Sequence, residues 1–141
     1  MTPNYWLLKT EPGTYAYADL ERQAQAVWDG VTNALALKHL RSMKKGDLAF
    51  IYHTGDEKQI VGIASVAGDP YPDPKQKDER LVVVKVKARE RLRRPVTLTE
   101  IKARKEFAHF DLVRLARLSV MPVTGEHWAR ILMLANHASD G

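Results

Sequence analysis

Residues Val27 to Asn33, VWDGVTN, set an indole ring, a carboxylate, a glycine and a side-chain amide side by side, directly ahead of a stretch with helical periodicity. These are the parts needed to grip a planar polar ligand such as a nucleobase. Trp28 offers a stacking face, Asp29 an acceptor for amino groups, and Asn33 both a donor and an acceptor. Gly30 opens backbone angles closed to other residues. Thr32 or Asn33 can cap the helix that Ala34 to Met43 predicts, leaving amide N–H groups aimed at the preceding loop. The same residues also read as plain structure, with Trp28 plugging a core and Asp29-Gly30 making a turn. A second polar cluster, Lys9-Thr10-Glu11, has the types for a lysine-activated threonine nucleophile with a carboxylate. On an extended strand Lys9 and Glu11 face one way and Thr10 the other, so that chemistry requires a twist, and a charged strand end is the plainer reading. The five histidines, at 39, 53, 109, 127 and 137, show no spacing that would put a pair on one metal. There is no phosphate-binding glycine loop and no G-x-S-x-G elbow. Neither a metal nor a cofactor is expected.

The elements that must position these residues follow from periodicity. Asn4 to Thr10 reads as a strand stopped by Glu11-Pro12-Gly13, and Asp19 to Gln25 as a short helix. In the helix from Ala34 to Met43, Ala36, Leu40 and Met43 share one face while Lys38, Arg41 and Lys45 recur on another. With Lys44, these cations are candidates to hold phosphates, or are an ordinary solvated face. Leu48 to His53 and Gln59 to Ala67 predict a hairpin around Gly55-Asp56, and Gly62 in its second arm marks a bulge or a close approach. Gly68 to Asp78, with three prolines, predicts a stiff exposed loop. Leu81 to Leu92 alternates, with Val82, Val84, Val86 and Ala88 on one side and Lys85, Lys87, Arg89 and Arg91 on the other. Thr97-Leu98-Thr99-Glu100 is a capping box opening a helix to about Arg104. The run RLSV, ending at Val120, predicts a last short strand. Thr124 then caps an amphipathic helix whose Trp128, Ile131, Leu132 and Ala135 share a face, and the tail after about 135 is expected to fray. Strands interleaved with short helices, without repeated strand-helix-strand units, predict an α+β fold: a small mixed or antiparallel β-barrel flanked by short helices, one domain over 1–141.

Composition narrows the setting. A chain of 141 residues without cysteine excludes disulfides and thiolate chemistry and suits a reducing, cytoplasmic interior. The opening MTPNYWLLKTEP is broken by Lys9 and Glu11, so neither a signal-peptide core nor a membrane span is expected there. Twenty-two basic against seventeen acidic residues, a net charge of +5, favour anionic partners without the extreme bias of a histone-like chain.

Taken in order and spacing, YWLLKTEP, WDGVTN, LRSMKKGD, FIYHTGDEKQIVGIA, DPYPDP and RLSVMPVT resemble the EVE domain over nearly the whole chain. EVE domains belong to the PUA-like superfamily, which also holds YTH and ASCH domains. The resemblance implies a barrel with flanking helices and a non-enzymatic, monomeric reader of nucleic acid, DNA more than RNA. Such a reader captures a modified, cytosine-derived base taken out of the strand. The positions it implies for the pocket are Trp6, Lys9, Thr10, Glu11, Trp28, Asp29, Gly30, Val31, Asn33, Tyr52, His53 and Thr54; the basic stripe, Lys38, Arg41, Lys44 and Lys45, is then expected to hold the backbone phosphates. One branch of the family has serine at Thr10 and an Arg-Asn-Tyr-Gln-Ala-Arg run over residues 32–37, so two arginines and a tyrosine are missing here. Two rivals stand beside this reading: an ASCH-type amidohydrolase acting on a modified nucleoside through Thr10 and Lys9, and a protein-interaction module.

Overall fold

The first apolar run forms β1 (Tyr5–Thr10) and pairs in parallel with β3 (Leu48–His53), from Tyr5 opposite Leu48 to Thr10 opposite His53. Paired residues share a face, so Tyr5, Leu7 and Lys9 stand with Phe50 and Tyr52, while Trp6, Leu8 and Thr10 stand with Ile51 and His53. Both faces of the pair are buried away from its ends, which is why these strands read as continuous apolar runs. The computed structural model describes residues 3–136; the tail expected to fray lies almost wholly outside them.

From β3 the chain turns back as β4 (Gln59–Val66), which pairs with the sixteen-residue β6 (Val82–Thr97). An edge strand, β2 (Gln25–Trp28), lies against β6, and β7 (Val120–Val123) lies against β1. The order is β2-β6-β4-β3-β1-β7, with a two-residue β5 (Tyr71–Pro72) on β6. This is the expected α+β class with a mixed sheet. The hydrogen-bonded path is not closed, and helix α2 (Ala34–Ser42) packs against both β6 and β7 across the gap.

Local chemistry sets the remaining elements. Asn33, not Thr32, caps α2, its Oδ1 accepting from the Ala36 N–H at 3.0 Å. The Thr97–Glu100 capping box opens α3 (Leu98–Lys102) as expected. Thr124 accepts from the His127 N–H at 3.0 Å at the head of α5 (Gly125–Asn136), whose Trp128 stacks between Tyr5 and Phe50. Near the chain start, α1 (Tyr17–Gln23) lays the Tyr17 ring on Gly62, where a Cβ would stand 2.6 Å from the ring carbons; the ladder shifts register there. The expected close approach at Gly62 is therefore this ring. None of the described helices is long and apolar enough to cross a membrane.

Three expectations are corrected. The short helix ends at Gln23, because Ala24 adopts a left-handed φ of 65° and Gln25 starts the edge strand that carries Val27 and Trp28. The final strand is Val120–Val123, beyond the RLSV run, which contributes only Val120; the preceding chain holds α4 (Asp111–Arg114) and a turn. Pro122 hides the strand in the sequence, yet proline is tolerated on an edge such as β7. Within the proline loop, Tyr71 and Pro72 pair with Val83 and Val82, and Asp73 is buried, so the segment is not wholly exposed.

Candidate functional site

The polar ends of β1 and β3 separate two cavities. A cleft of about 820 Å³ opens beside the edge strand, between Tyr15, Gln23, the β2 residues and the Asp29-Gly30 corner, with Lys9, Thr10 and Lys75 on its walls. A smaller hollow of about 280 Å³ has a floor of Tyr52, Leu98 and Leu112 and a rim that includes Lys9, Lys58 and Lys102. Lys9 borders both. Its ammonium group donates to the Ala116 carbonyl at 2.8 Å and stands 5.6 Å above the centre of the Tyr52 ring, on the side of the hollow. Half-burial holds this ammonium below the ordinary lysine range.

Within the cleft, Trp28 closes β2 and is only 8% exposed, with its ring edge-on to Tyr15 at 6.1 Å between centroids. The indole is the floor, and Tyr15 is the half-buried ring above it. Burial and the nearby Asp19 carboxylate push the Tyr15 phenol up, so it stays a neutral donor, bonding Gln23 Oε1 at 2.6 Å. Thr10 Oγ1 donates to the Tyr15 carbonyl at 2.6 Å and so ties this ring's backbone to β1. Asp29 is exposed at the mouth, and Gly30 turns the chain at a φ of 78° with open space around it. Val27 is unusually exposed for an aliphatic residue, at 45%, and also lines the cleft.

The cleft thus brings together Lys9, Thr10, Trp28, Asp29 and Gly30 of the residues singled out in the sequence. Tyr52 and Thr54 line the hollow instead. Trp6 lies elsewhere, buried, its indole N–H donating to Asp47 Oδ2 at 3.0 Å. That buried carboxylate also accepts the Asn4 and Lys44 backbone N–H groups, so Trp6 and Asp47 together lock the start of β1 to the end of α2. His53 is buried and holds two partners: Nε2 accepts the Tyr17 N–H at 3.0 Å, which leaves Nδ1 as the donor to Glu57 at 2.8 Å. Glu11 folds back on the Gly13 N–H at 2.9 Å. Asn33 spends its carbonyl oxygen on the α2 cap, and neither it nor Val31 lines the cleft. The sequence reading missed Tyr15, Gln23, Gln25 and Lys75. Only Tyr15, an aromatic five residues after Thr10, carried any visible signal.

The four cations singled out also separate. Lys38 and Arg41 are exposed on α2, where the Arg41 guanidinium donates to the Arg80 carbonyl at 3.0 Å. Lys44 and Lys45 follow the helix, and only Lys45 enters a groove, one of about 570 Å³ that it shares with Lys87 and Arg89.

Comparison with known proteins adds to this geometry. The sequence model of one family, the EVE domain, matches residues 4–134. Mouse thymocyte nuclear protein 1 is 32% identical, over 93% of this chain and 73% of that protein. The solution structure of Rpa0253 from Rhodopseudomonas palustris superposes with a TM-score of 0.89 at 38% identity, over 94% of this chain and 92% of that one. A human THYN1 structure, solved in complex with 5-methylcytosine-containing DNA, gives a TM-score of 0.85 at 28% identity over 94% and 98% of the two chains.

Proposed function

The chain belongs to the EVE-domain family, and from that premise we propose that it is a nucleic-acid-binding reader that captures a modified, cytosine-derived base in the cleft between β1 and the Trp28-Asp29-Gly30 corner. The observation that carries this reading is the likeness, along nearly the full length of both chains, to a human protein solved with 5-methylcytosine-containing DNA. The cleft supports it: its volume falls within the range of ordinary ligand sites, and it offers rings, an exposed carboxylate and amides in one place.

The proposed mechanism is capture without turnover. A base cannot be inspected all round inside a duplex, and extruding it costs roughly a few kcal/mol. Stacking on an aromatic ring returns about 1–3 kcal/mol, and here Tyr15 is the reachable ring while Trp28 supports it from below. Hydrogen bonds supply the remainder, with Asp29 accepting from the exocyclic amine and Gln23 or Gln25 facing the ring acceptors. DNA is the favoured strand, and a cysteine-free chain suits the reducing interior of a cell. The amidohydrolase reading finds no support in the geometry, since the Lys9 ammonium and the Thr10 hydroxyl are bonded to carbonyls on different elements, Ala116 and Tyr15.

The test is a titration of matched oligonucleotides with and without 5-methylcytosine, as DNA and as RNA, followed by mass analysis of the strands. The expected result is tighter binding of the modified DNA with every strand recovered unchanged. Asp29→Ala and Tyr15→Leu, folded by circular dichroism, should bring the two affinities together. A converted base would support the enzyme, and equal affinities in the wild-type protein would overturn the reader.

A further inference from the structure

The sequence presents two basic stripes, one on α2 and one on β6, and only the fold relates either of them to the cleft. Antiparallel pairing of β2 with β6 sets Val27 opposite Lys85 and Gln25 opposite Lys87, on one face of the sheet. Val27 and Gln25 line the cleft, and Gln25 also lines the neighbouring groove that contains Lys45, Lys87 and Arg89. Cleft and groove therefore share a wall. Lys85 and Lys87 project at alternate positions, about 6.6–6.8 Å apart along the strand, close to the spacing of successive phosphates in an extended nucleic-acid strand, and Arg89 follows at the shift of register between β4 and β6.

Their charges are also free. Among the described residues none of Lys45, Lys85, Lys87 and Arg89 is in an ion pair, whereas further along β6 Arg91 is paired with Glu21 and Arg94 with Glu100. Among the described residues no carboxylate lines the groove, and Asp69 is bonded to the Lys45 backbone N–H. Lys38 and Arg41, by contrast, line neither the cleft nor the groove.

We propose that the sugar-phosphate strand flanking the captured base runs along the β2–β6 edge, on Lys85, Lys87, Arg89 and Lys45, and not along the α2 stripe. This rests on the reader function proposed above and assigns its backbone-docking surface. Phosphate contacts carry no base identity, so the track sets affinity and the cleft sets discrimination.

The experiment measures binding of a single-stranded DNA with one 5-methylcytosine, and of its unmodified twin, at several salt concentrations. The triple variant Lys85→Gln/Lys87→Gln/Arg89→Gln is compared with the double variant Lys38→Gln/Arg41→Gln. Each lost phosphate contact should lower the slope of log affinity against log salt by about 0.7. The triple variant should thus lose a slope of about 2, so a fourfold rise in salt weakens it about 16-fold less than the wild type. Its ratio of modified to unmodified affinity should stay at the wild-type value, and the double variant should keep the wild-type slope. Lys87→Gln alone, expected to lose about 0.7, serves should the triple variant fail to fold. A wild-type slope in the β6 variants, or a flattened slope in the α2 variant alone, overturns the track. If the wild type still prefers the modified strand and Asp29→Ala removes that preference, only the track has failed. A wild-type protein that binds neither strand overturns both proposals.

Discussion

The cleft and the hollow are built at the same end of the same parallel strand pair, and they differ in nearly everything else. The cleft lies against an edge strand, where Gln25, Val27 and Asp29 are exposed and polar atoms of both kinds reach the opening. The hollow lies against covered strand and helix, with an apolar floor and lysines on its rim. Strand alternation separates them, since Lys9 pairs with Tyr52 and Thr10 with His53 in the β1–β3 register. Thr10 therefore lines the cleft alone while its neighbour Lys9, beside Tyr52, reaches the hollow as well, and adjacency in sequence says little about membership of a site. An edge strand suits recognition because its free side accepts a partner without disrupting a ladder.

Removing the floor of the cleft should have the largest effect. Trp28 is a buried ring, so Trp28→Ala should destabilise the fold by about 3–5 kcal/mol in urea denaturation, whereas Trp28→Phe keeps most of the packing. A loss under about 1 kcal/mol would show an indole that stands free in the cleft and is not its floor.

The wall between α1 and β3 comes next. His53→Leu leaves the buried Tyr17 N–H without its acceptor, while Glu57 keeps the Gln59 amide as a donor, and a buried orphan of this kind costs about 1–3 kcal/mol. Hydrogen exchange at Tyr17 should accelerate while amides around the hollow stay protected. Equal acceleration on both sides would mean that the cavities are not independently supported.

The hollow depends on α3, whose start is held by the Arg94–Glu100 pair; Arg94 also donates to the Leu134 carbonyl on α5. The Arg94 guanidinium holds the Glu100 carboxyl down to about 2, from an ordinary value of 4.5. The folded protein thus binds this proton more weakly than the unfolded chain, so the stabilisation is complete above pH 4.5 and is lost as pH falls toward 2. Glu100→Gln should cost about 1–2 kcal/mol at pH 7, discounted for partial exposure. The difference from wild type should vanish near pH 2 in denaturant titrations at stepped pH.

The smallest effect belongs to Lys9, which borders both cavities. Burial lowers its ammonium from 10.5, so the folded state holds that proton less tightly and stability rises with pH on the approach to 10.5. Lys9→Met removes that rise, and the wild type should gain stability relative to the variant as pH rises toward 10.5. A constant difference across that range would place the ammonium in water, and the boundary between cleft and hollow would have to be redrawn.

Local sequence alone determined much of this molecule. The Thr97–Glu100 box, the Asn33 cap and the Trp128 face depend on neighbours within a few residues, and each stands as its pattern indicates. The alternation in Leu81 to Leu92 holds from Val84 to Lys87; Val83 is buried as well, and a shift of register against β4 leaves Arg89, Glu90 and Arg91 all exposed. The α+β class follows from the order of the elements. What no local pattern carries is which distant residues meet. That Asp47 would capture Trp6, that Tyr17 would lie on Gly62, and that Lys87 would stand opposite Gln25 are results of long-range pairing. Tertiary structure also decided which of the chemically able residues are free to act. The hydrogen bonds that commit Trp6, Asn33 and His53 to the scaffold join them to other elements or to a helix end, while Asp29 and Gln25 remain exposed at an edge that exists only once β2 has found β6.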